Sequence, residues 1–292
     1  MARPSIAMIP SAYKASKVYS VLPTNGDGDL TFTRASSATR VNENGLIEEV
    51  ASNIPRLDYS DGGCPSLLLE PQSTNLITYS EDFTNGFWNK QNITVNSNSG
   101  ISPKGDLTAD LIIPNTSVAT HQISTNPITS SSVQTMSCYA KQGGYSTFDF
   151  LDRASATNGA RFDLSNGTFS IIGTTTAKIE NIGNGWYRCS ITANTTGIRF
   201  YVPSSSGSES GDGTSGVYIW GAQLEQQSYA TSYIPTTGAT ATRLADSASL
   251  TTTGFGLTSI TETFKDGSAN VITTIPTTYN VSEGKIAKII GE

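Results

Sequence analysis

Trp186-Tyr187-Arg188-Cys189-Ser190-Ile191-Thr192 places Tyr187, Cys189 and Ile191 on one face of an extended chain. Arg188, Ser190 and Thr192 fall on the other, because successive side chains of a strand point to opposite sides. An apolar/polar period of two marks a half-buried β-strand. Working outward, Met136-Ser137-Cys138-Tyr139-Ala140 and Tyr145-Ser146-Thr147-Phe148-Asp149-Phe150-Leu151 alternate in the same way. Ile198-Arg199-Phe200-Tyr201-Val202 and Val217 through Leu224 complete a series of short strands. Turn residues separate them at short, irregular intervals, which predicts two antiparallel sheets packed face to face, of jelly-roll type, over residues 71–235.

Composition agrees with an all-β chain. Hydrophobic residues make up 36% and charged residues 14%, both below the average for globular proteins. Ser, Thr, Asn and Gly fill the difference, and these suit short strands and tight turns rather than long helices. Such a mixture is typical of proteins that live outside cells or on virions. A length of 292 residues allows one large β domain with appendages or two modest domains.

The flanks read differently from the centre. Residues 1–70 are interrupted by prolines at 4, 10, 23, 55 and 65 and carry too little apolar mass to fold alone. An extended attachment arm is therefore expected, its anchors Ile6, Met8, Ile9, Val18 and Tyr19 ordered only against a partner. Within it, Asn44-Gly45 lies between Ala38-Thr39-Arg40-Val41 and Leu46-Ile47-Glu48-Glu49, a type I′ hairpin signal. Residues 236–292 read as a connector and a small C-terminal β module, with a second hairpin at Asp266-Gly267. Two or three strands cannot bury a core of their own. Val271-Ile272 and Ile286 through Ile290 are thus expected to pack on the sandwich or on another subunit. Left open, they would be sticky edges, and closed rotational symmetry removes such edges.

Charge and cysteine usage narrow the partners. A net charge of -6 supplies no basic face for nucleic acid. No apolar run reaches the ~18 residues that span a membrane, and the N-terminal residues lack the apolar core of an export signal. Cys64, Cys138 and Cys189 are an odd set without metal-type spacing. Cys138 and Cys189 sit in strand-like segments and read as buried free thiols, consistent with folding in a reducing cytoplasm.

Reactive constellations are scarce. His121 is the one histidine, in a strand-like segment that suits a hydrogen-bonded strand residue better than a catalytic base. Gly211-Asp212-Gly213-Thr214-Ser215-Gly216 imitates a dinucleotide fingerprint by letter, but a serine-rich loop precedes it and a strand follows, where the motif needs strand and helix. Asn25, Asp27 and Asp29 begin like a calcium loop, yet Leu30 stands where that loop needs glycine. Glu48-Glu49 and Glu81-Asp82 are adjacent, so their carboxylates point to opposite faces and do not make a glycosidase pair. Trp88 and Trp186 lie beside turn residues, where an indole ring at a sandwich rim could stack on a sugar. Burial at a strand end is the competing reading for both.

Several strings resemble a known family. Leu30 through Asn42, Leu67 through Leu76, Tyr79-Ser80-Glu81-Asp82-Phe83 through Trp88, and Gly185-Trp186-Tyr187-Arg188-Cys189 look like bacteriophage head-spike and tail-fibre proteins. So do Trp220-Gly221-Ala222-Gln223-Leu224-Glu225 and Tyr233-Ile234-Pro235-Thr236. The resemblance runs from about residue 30 to 245 and is similar to the head fibres of crAss-like phages, with a middle domain similar to carbohydrate-binding-module jelly rolls. It implies a non-catalytic virion structural protein made in the host cytoplasm, with no cofactor and no catalytic residues to carry over. Some modules of this kind hold a structural calcium near the first and last strands. The matching last strand here, Tyr218-Ile219-Trp220-Gly221, has no acid at that place, so no metal is expected. Its implied partners are itself, as a homotrimer, another virion protein through the arm, and host surface glycan. The head is the expected location, because no second receptor-binding module follows the sandwich. A tail-fibre adhesin is the first alternative and a polysaccharide-degrading enzyme the second.

Overall fold

The computed structural model describes residues 4–128, 133–153, 157–204 and 208–292. Each alternating segment quoted above falls on a strand apart from Tyr145, Ser146 and Val202 at segment ends, the strand ladders are antiparallel, and the described residues contain no helix. The chain divides into two units, Ser73–Thr242 and the pair Met1–Gln72 with Arg243–Glu292.

Ser73–Thr242 is the sandwich. One six-stranded sheet runs in the order Trp88–Gln91, Gln122–Thr125, Ile198–Tyr201, Thr147–Asp152, Gly159–Asp163, Thr168–Ile172. The other runs Ile93–Gly100, Ala109–Pro114, Gly216–Glu225, Val133–Gly143, Trp186–Asn194, Thr176–Gly183. Their facing sides meet in one apolar core, in which Phe148, Phe150, Phe162 and Phe200 of the first sheet join Met136, Cys138, Ile191 and Ile219 of the second. Phe150 and Phe200 have ring centroids 4.7 Å apart, and each buried ring contributes about 1.5–3 kcal/mol. A bulge sets Gly221 and Ala222 against Cys138 alone, since Gln223 pairs with Ser137 and Trp220 with Tyr139. Gly221 has a φ of 62°, and an added Cβ would come within 3.0 Å of the Tyr139 ring. Only glycine fits this bend without strain.

The N-terminal arm and the C-terminal module are corrected to a single unit with its own core. Ile6–Met8 pairs with Gly284–Gly291, Leu30–Thr33 with Ser247–Thr251, and Ser66–Leu69 with Gly284–Gly291. Ile6, Met8, Val18, Leu30 and Phe32 pack with Leu67, Leu69, Leu250, Ile260, Ile286 and Ile289. Neither end has the apolar mass for a core, but together they do; each end is the partner the other lacks. Ile6, Met8 and Val18 are therefore core residues rather than attachment anchors. Tyr19 is half-buried and Ile9 exposed. Ile286 and Ile289 are likewise covered within the chain, and of the apolar tail residues Val271 stays open at 59% exposure.

Both expected hairpins form, but the first turns differently. Strands Ala38–Val41 and Ile47–Val50 pair Val41 with Ile47, leaving a loop from Asn42 to Leu46. The Asn42 carboxamide accepts from Asn44 N at 2.9 Å and Leu46 N at 3.1 Å, which stabilises a longer loop than type I′. Gly45 has a positive φ of 75° while Asn44 has none.

Candidate functional site

Trp88 and Trp186 have their rings inside the fold. Trp88 is 1% exposed and Trp186 2%. The Trp88 indole N–H donates to the Tyr79 carbonyl at 3.0 Å, and that of Trp186 to the Ile101 carbonyl at 3.0 Å. Their positions beside turns reflect backbone carbonyls that accept from the indole N–H groups, not an open rim. This corrects their expected role as sugar platforms, since a buried face cannot stack on a ligand.

The strings that carry the resemblance converge on two buried polar lattices. In the sandwich, the Asn75 carboxamide donates to Ala222 O at 3.2 Å and Ile234 O at 2.9 Å. Its oxygen accepts from Ile77 N at 3.0 Å and Leu224 N at 3.2 Å. Gln223 Oε1 accepts from Ile234 N at 2.7 Å. Ser80 Oγ lies 2.7 Å from the Tyr233 hydroxyl, which donates to Glu81 at 2.8 Å. Burial, reinforced by the Glu81 charge, pushes the Tyr233 hydroxyl well above the usual phenol range. Glu225 accepts from Ser73 Oγ at 2.7 Å and Thr231 N at 3.0 Å.

The second lattice lies in the unit built from both termini. Arg34 donates to Asp246 at 3.0 Å, to Ser36 O at 2.9 Å and to Ala51 O at 2.8 Å. Arg56 donates to Glu70 at 2.7 Å and also to Asp246, while Arg243 donates to Glu70 at 3.0 Å. Three guanidiniums thus face two carboxylates, and backbone carbonyls take up the surplus N–H groups. Burial holds the Arg34 pKa below its ordinary value. At Arg56 burial also acts downward, but Glu70 and Asp246 outweigh it and the pKa is raised. These lattices engage Arg34, Glu70, Ser73, Asn75, Ser80, Glu81, Gln223, Glu225 and Tyr233 of those strings and tie distant segments together.

The side of the phenylalanine-backed sheet away from that core is different, with Asp149 and Tyr201 buried at its centre. Cross-strand register sets Gln91 opposite Gln122, Gln122 opposite Tyr201, Tyr201 opposite Asp149, Asp149 opposite Arg161 and Arg161 opposite Ser170. One polar row therefore crosses all six strands, on the face opposite Ile123, Phe200, Phe150 and Ala160. Arg161 grips Asp149 through both carboxylate oxygens, at 2.7 and 3.0 Å, which raises the Arg161 pKa above its ordinary value. Gln122 Nε2 donates to Gln91 at 2.6 Å, while the buried Gln122 Oε1 has no hydrogen-bond partner. Beside the row, Arg199 reaches the Tyr201 hydroxyl at 3.2 Å with one terminal nitrogen, and its buried Nε also has no partner. Gln122 Oε1 and Arg199 Nε are closed off from solvent, so the polar groups open on this face are those of the exposed Gln91 and Ser170 and the half-buried Gln122 amide and Arg161. Such a set matches hydroxyl groups, which donate and accept at once.

The remaining candidates are ordinary structural residues. His121 immediately precedes the strand Gln122–Thr125, is buried, and lies 3.3 Å from the Asn115 carboxamide. Asp212 caps a turn by accepting from Thr214 N at 2.8 Å and Ser215 N at 2.7 Å, and a strand follows, as the sequence implies. Ser205-Ser206-Gly207 of the serine-rich loop lie outside the described residues. Glu48 pairs with Arg40 at 2.6 Å, and Asp82 accepts from Thr84 N at 3.0 Å. Asp110 carries no sequence signal, because one acidic residue in an apolar strand has no pattern. It is buried, accepts from Phe83 N and Asn98 N at 3.0 and 2.9 Å, and has its pKa raised by burial. The polar row was equally invisible, since it exists only once six strands are in register. The chain matches no protein-family model and no curated protein.

Proposed function

We propose that this chain is a non-catalytic structural subunit on the outside of a bacteriophage particle, a fibre or decoration protein. One observation carries the reading: the residues of the resembling strings are framework. Arg34, Glu70, Asn75, Ser80, Gln223 and Tyr233 have their polar groups engaged in buried hydrogen bonds. A pattern whose polar members hold the fold together suits a protein selected for shape and endurance. An enzyme would instead keep some of those groups open to substrate. Particles purified from the phage that encodes the chain, labelled with antibody against it, should carry label on their outer surface, on the head rather than the tail. Unlabelled particles from a culture that makes the protein would overturn the reading.

The polar row favours a second element, a weak glycan contact that would also serve a tail-fibre adhesin. Glycan-array binding should be lost in Gln122→Ala and Arg161→Ala and retained in Trp88→Phe. Binding indifferent to both row substitutions would remove this face from consideration.

A further inference from the structure

The geometry points to Cys138 and Cys189 as a latent cross-strand disulfide, a pair of thiols held ready for oxidation by a small-molecule disulfide. This goes beyond the particle role and does not depend on it. Strands Val133–Gly143 and Trp186–Asn194 pair over nine residues of each strand, with Cys138 directly opposite Cys189. Directly opposed residues of an antiparallel pair have Cα atoms about 4.5–5.5 Å apart. A disulfide needs about 4.4–6.8 Å, so the backbone is already in place. Both side chains also lie on the same side of the sheet, inside the sandwich core, and both thiols are free and fully buried.

Burial explains why the pair stays reduced in the folded protein. Desolvation pushes both thiols well above the ordinary range, and at Cys189 the neighbouring Cys138 adds to the shift. The thiolate is the nucleophile in disulfide exchange, and a protonated thiol closed off from solvent does not react. Trp186–Asn194 is the second strand from the sheet edge, outside which only Thr176–Gly183 lies. Opening of this flank exposes the pair. One thiolate then attacks the small disulfide, forming a mixed disulfide and releasing one small thiolate. The second cysteine thiolate attacks the protein sulfur of that mixed disulfide, forming the Cys138–Cys189 bond and expelling the second small thiolate. The two protons leave the protein thiols and end on the two released thiols. The protein is oxidised by two electrons, and the small disulfide is reduced by two.

Cys64 supplies an internal control. It is exposed, and it can form only a mixed adduct within the chain because neither other cysteine is accessible in the folded state. The full-length protein, incubated with oxidised glutathione in denaturant below its unfolding transition, should first acquire one adduct at Cys64. A disulfide-linked pair of peptides containing Cys138 and Cys189 should follow in the non-reducing peptide map. The unfolding midpoint should rise by about 5 °C or more, because the crosslink constrains the unfolded chain. Dithiothreitol should reverse that rise. Cys138→Ala and Cys189→Ala should each abolish the linked peptide and the rise. The wild-type chain decides the question even if those variants fold poorly. With Cys64 modified, persistent thiols at both sites, mixed adducts without a crosslink, or a crosslink that lowers the midpoint would each overturn the inference.

Discussion

Arg34 and Asp246 stand 212 residues apart in the chain and 3.0 Å apart in space, with both side chains fully buried. Asp246 also accepts from Arg56, and Glu70 accepts from Arg56 and Arg243. The two ends of the chain are thus joined by charge as well as by strand pairing. Removing Asp246 leaves three buried guanidiniums facing the single carboxylate of Glu70, an effect of about 3–5 kcal/mol. Asp246→Leu should therefore destabilise the unit built from the two ends by about that much, read as a lower midpoint in urea. A surface substitution such as Lys178→Met should move it by about 0.5 kcal/mol at most.

Deleting residues 1–30 removes Ile6, Met8, Val18 and Leu30 from the core of that unit. Large apolar truncations at buried sites each lose about 2–5 kcal/mol, more in sum than a domain's whole stability. The truncated chain should lose hydrogen-exchange protection over 57–69 and 260–291 and keep it over 133–143 and 216–225. Full protection of the first two segments would show that the N-terminal strands are dispensable.

The division between what the sequence disclosed and what it hid follows one physical line. Alternation within a strand is local, so Met136, Cys138, Phe148, Cys189 and Ile191 were legible as core, and Asp266-Gly267 as a turn. Pairing between distant strands is not local. Ile6–Met8 is three apolar residues without alternation, Ser247–Thr251 alternates only through Leu250 and the small Ala248, and their partners lie at the other end of the chain. Arginines normally read as surface, so a buried trio was not visible either. The tryptophans are hidden for a related reason, since a neighbouring turn does not say whether a distant carbonyl accepts from the indole N–H and the ring is buried.

Tyr279 gives that same unit an alkaline limit. Its hydroxyl donates to Glu262, which is fully buried and also accepts from Ser282 N at 2.8 Å. Burial, then the bond to Glu262 and its charge, raise the Tyr279 pKa above the ordinary value of 10.0. The folded state therefore holds its proton where the unfolded state has lost it, and stability falls as pH rises above about 10. Tyr279→Phe should be less stable at neutral pH by about 1–3 kcal/mol, because Glu262 loses a donor. It should also lose stability less steeply between pH 10 and 11. An unchanged slope would place the alkaline sensitivity elsewhere.

The trimer implied by the resemblance is tested by mass. Light scattering of the full chain should give three copies. Removing residues 256–292 takes away Ile260, Ile286 and Ile289, so it should unfold the unit they belong to. A folded monomer from that truncation would contradict the shared core.

Asn75 tests most directly whether the resembling strings are framework. Its carboxamide makes four hydrogen bonds to backbone groups of Ala222, Ile234, Ile77 and Leu224. Asn75→Ala should lower the stability of the sandwich by at least about 2 kcal/mol, since buried donors and acceptors lose their partners. Gln122→Ala, on the outer polar row, should shift it by about 0.5 kcal/mol at most. Thermal unfolding of the two variants beside the wild type should show a large fall for Asn75→Ala and almost none for Gln122→Ala. A wild-type midpoint for Asn75→Ala would contradict the framework role.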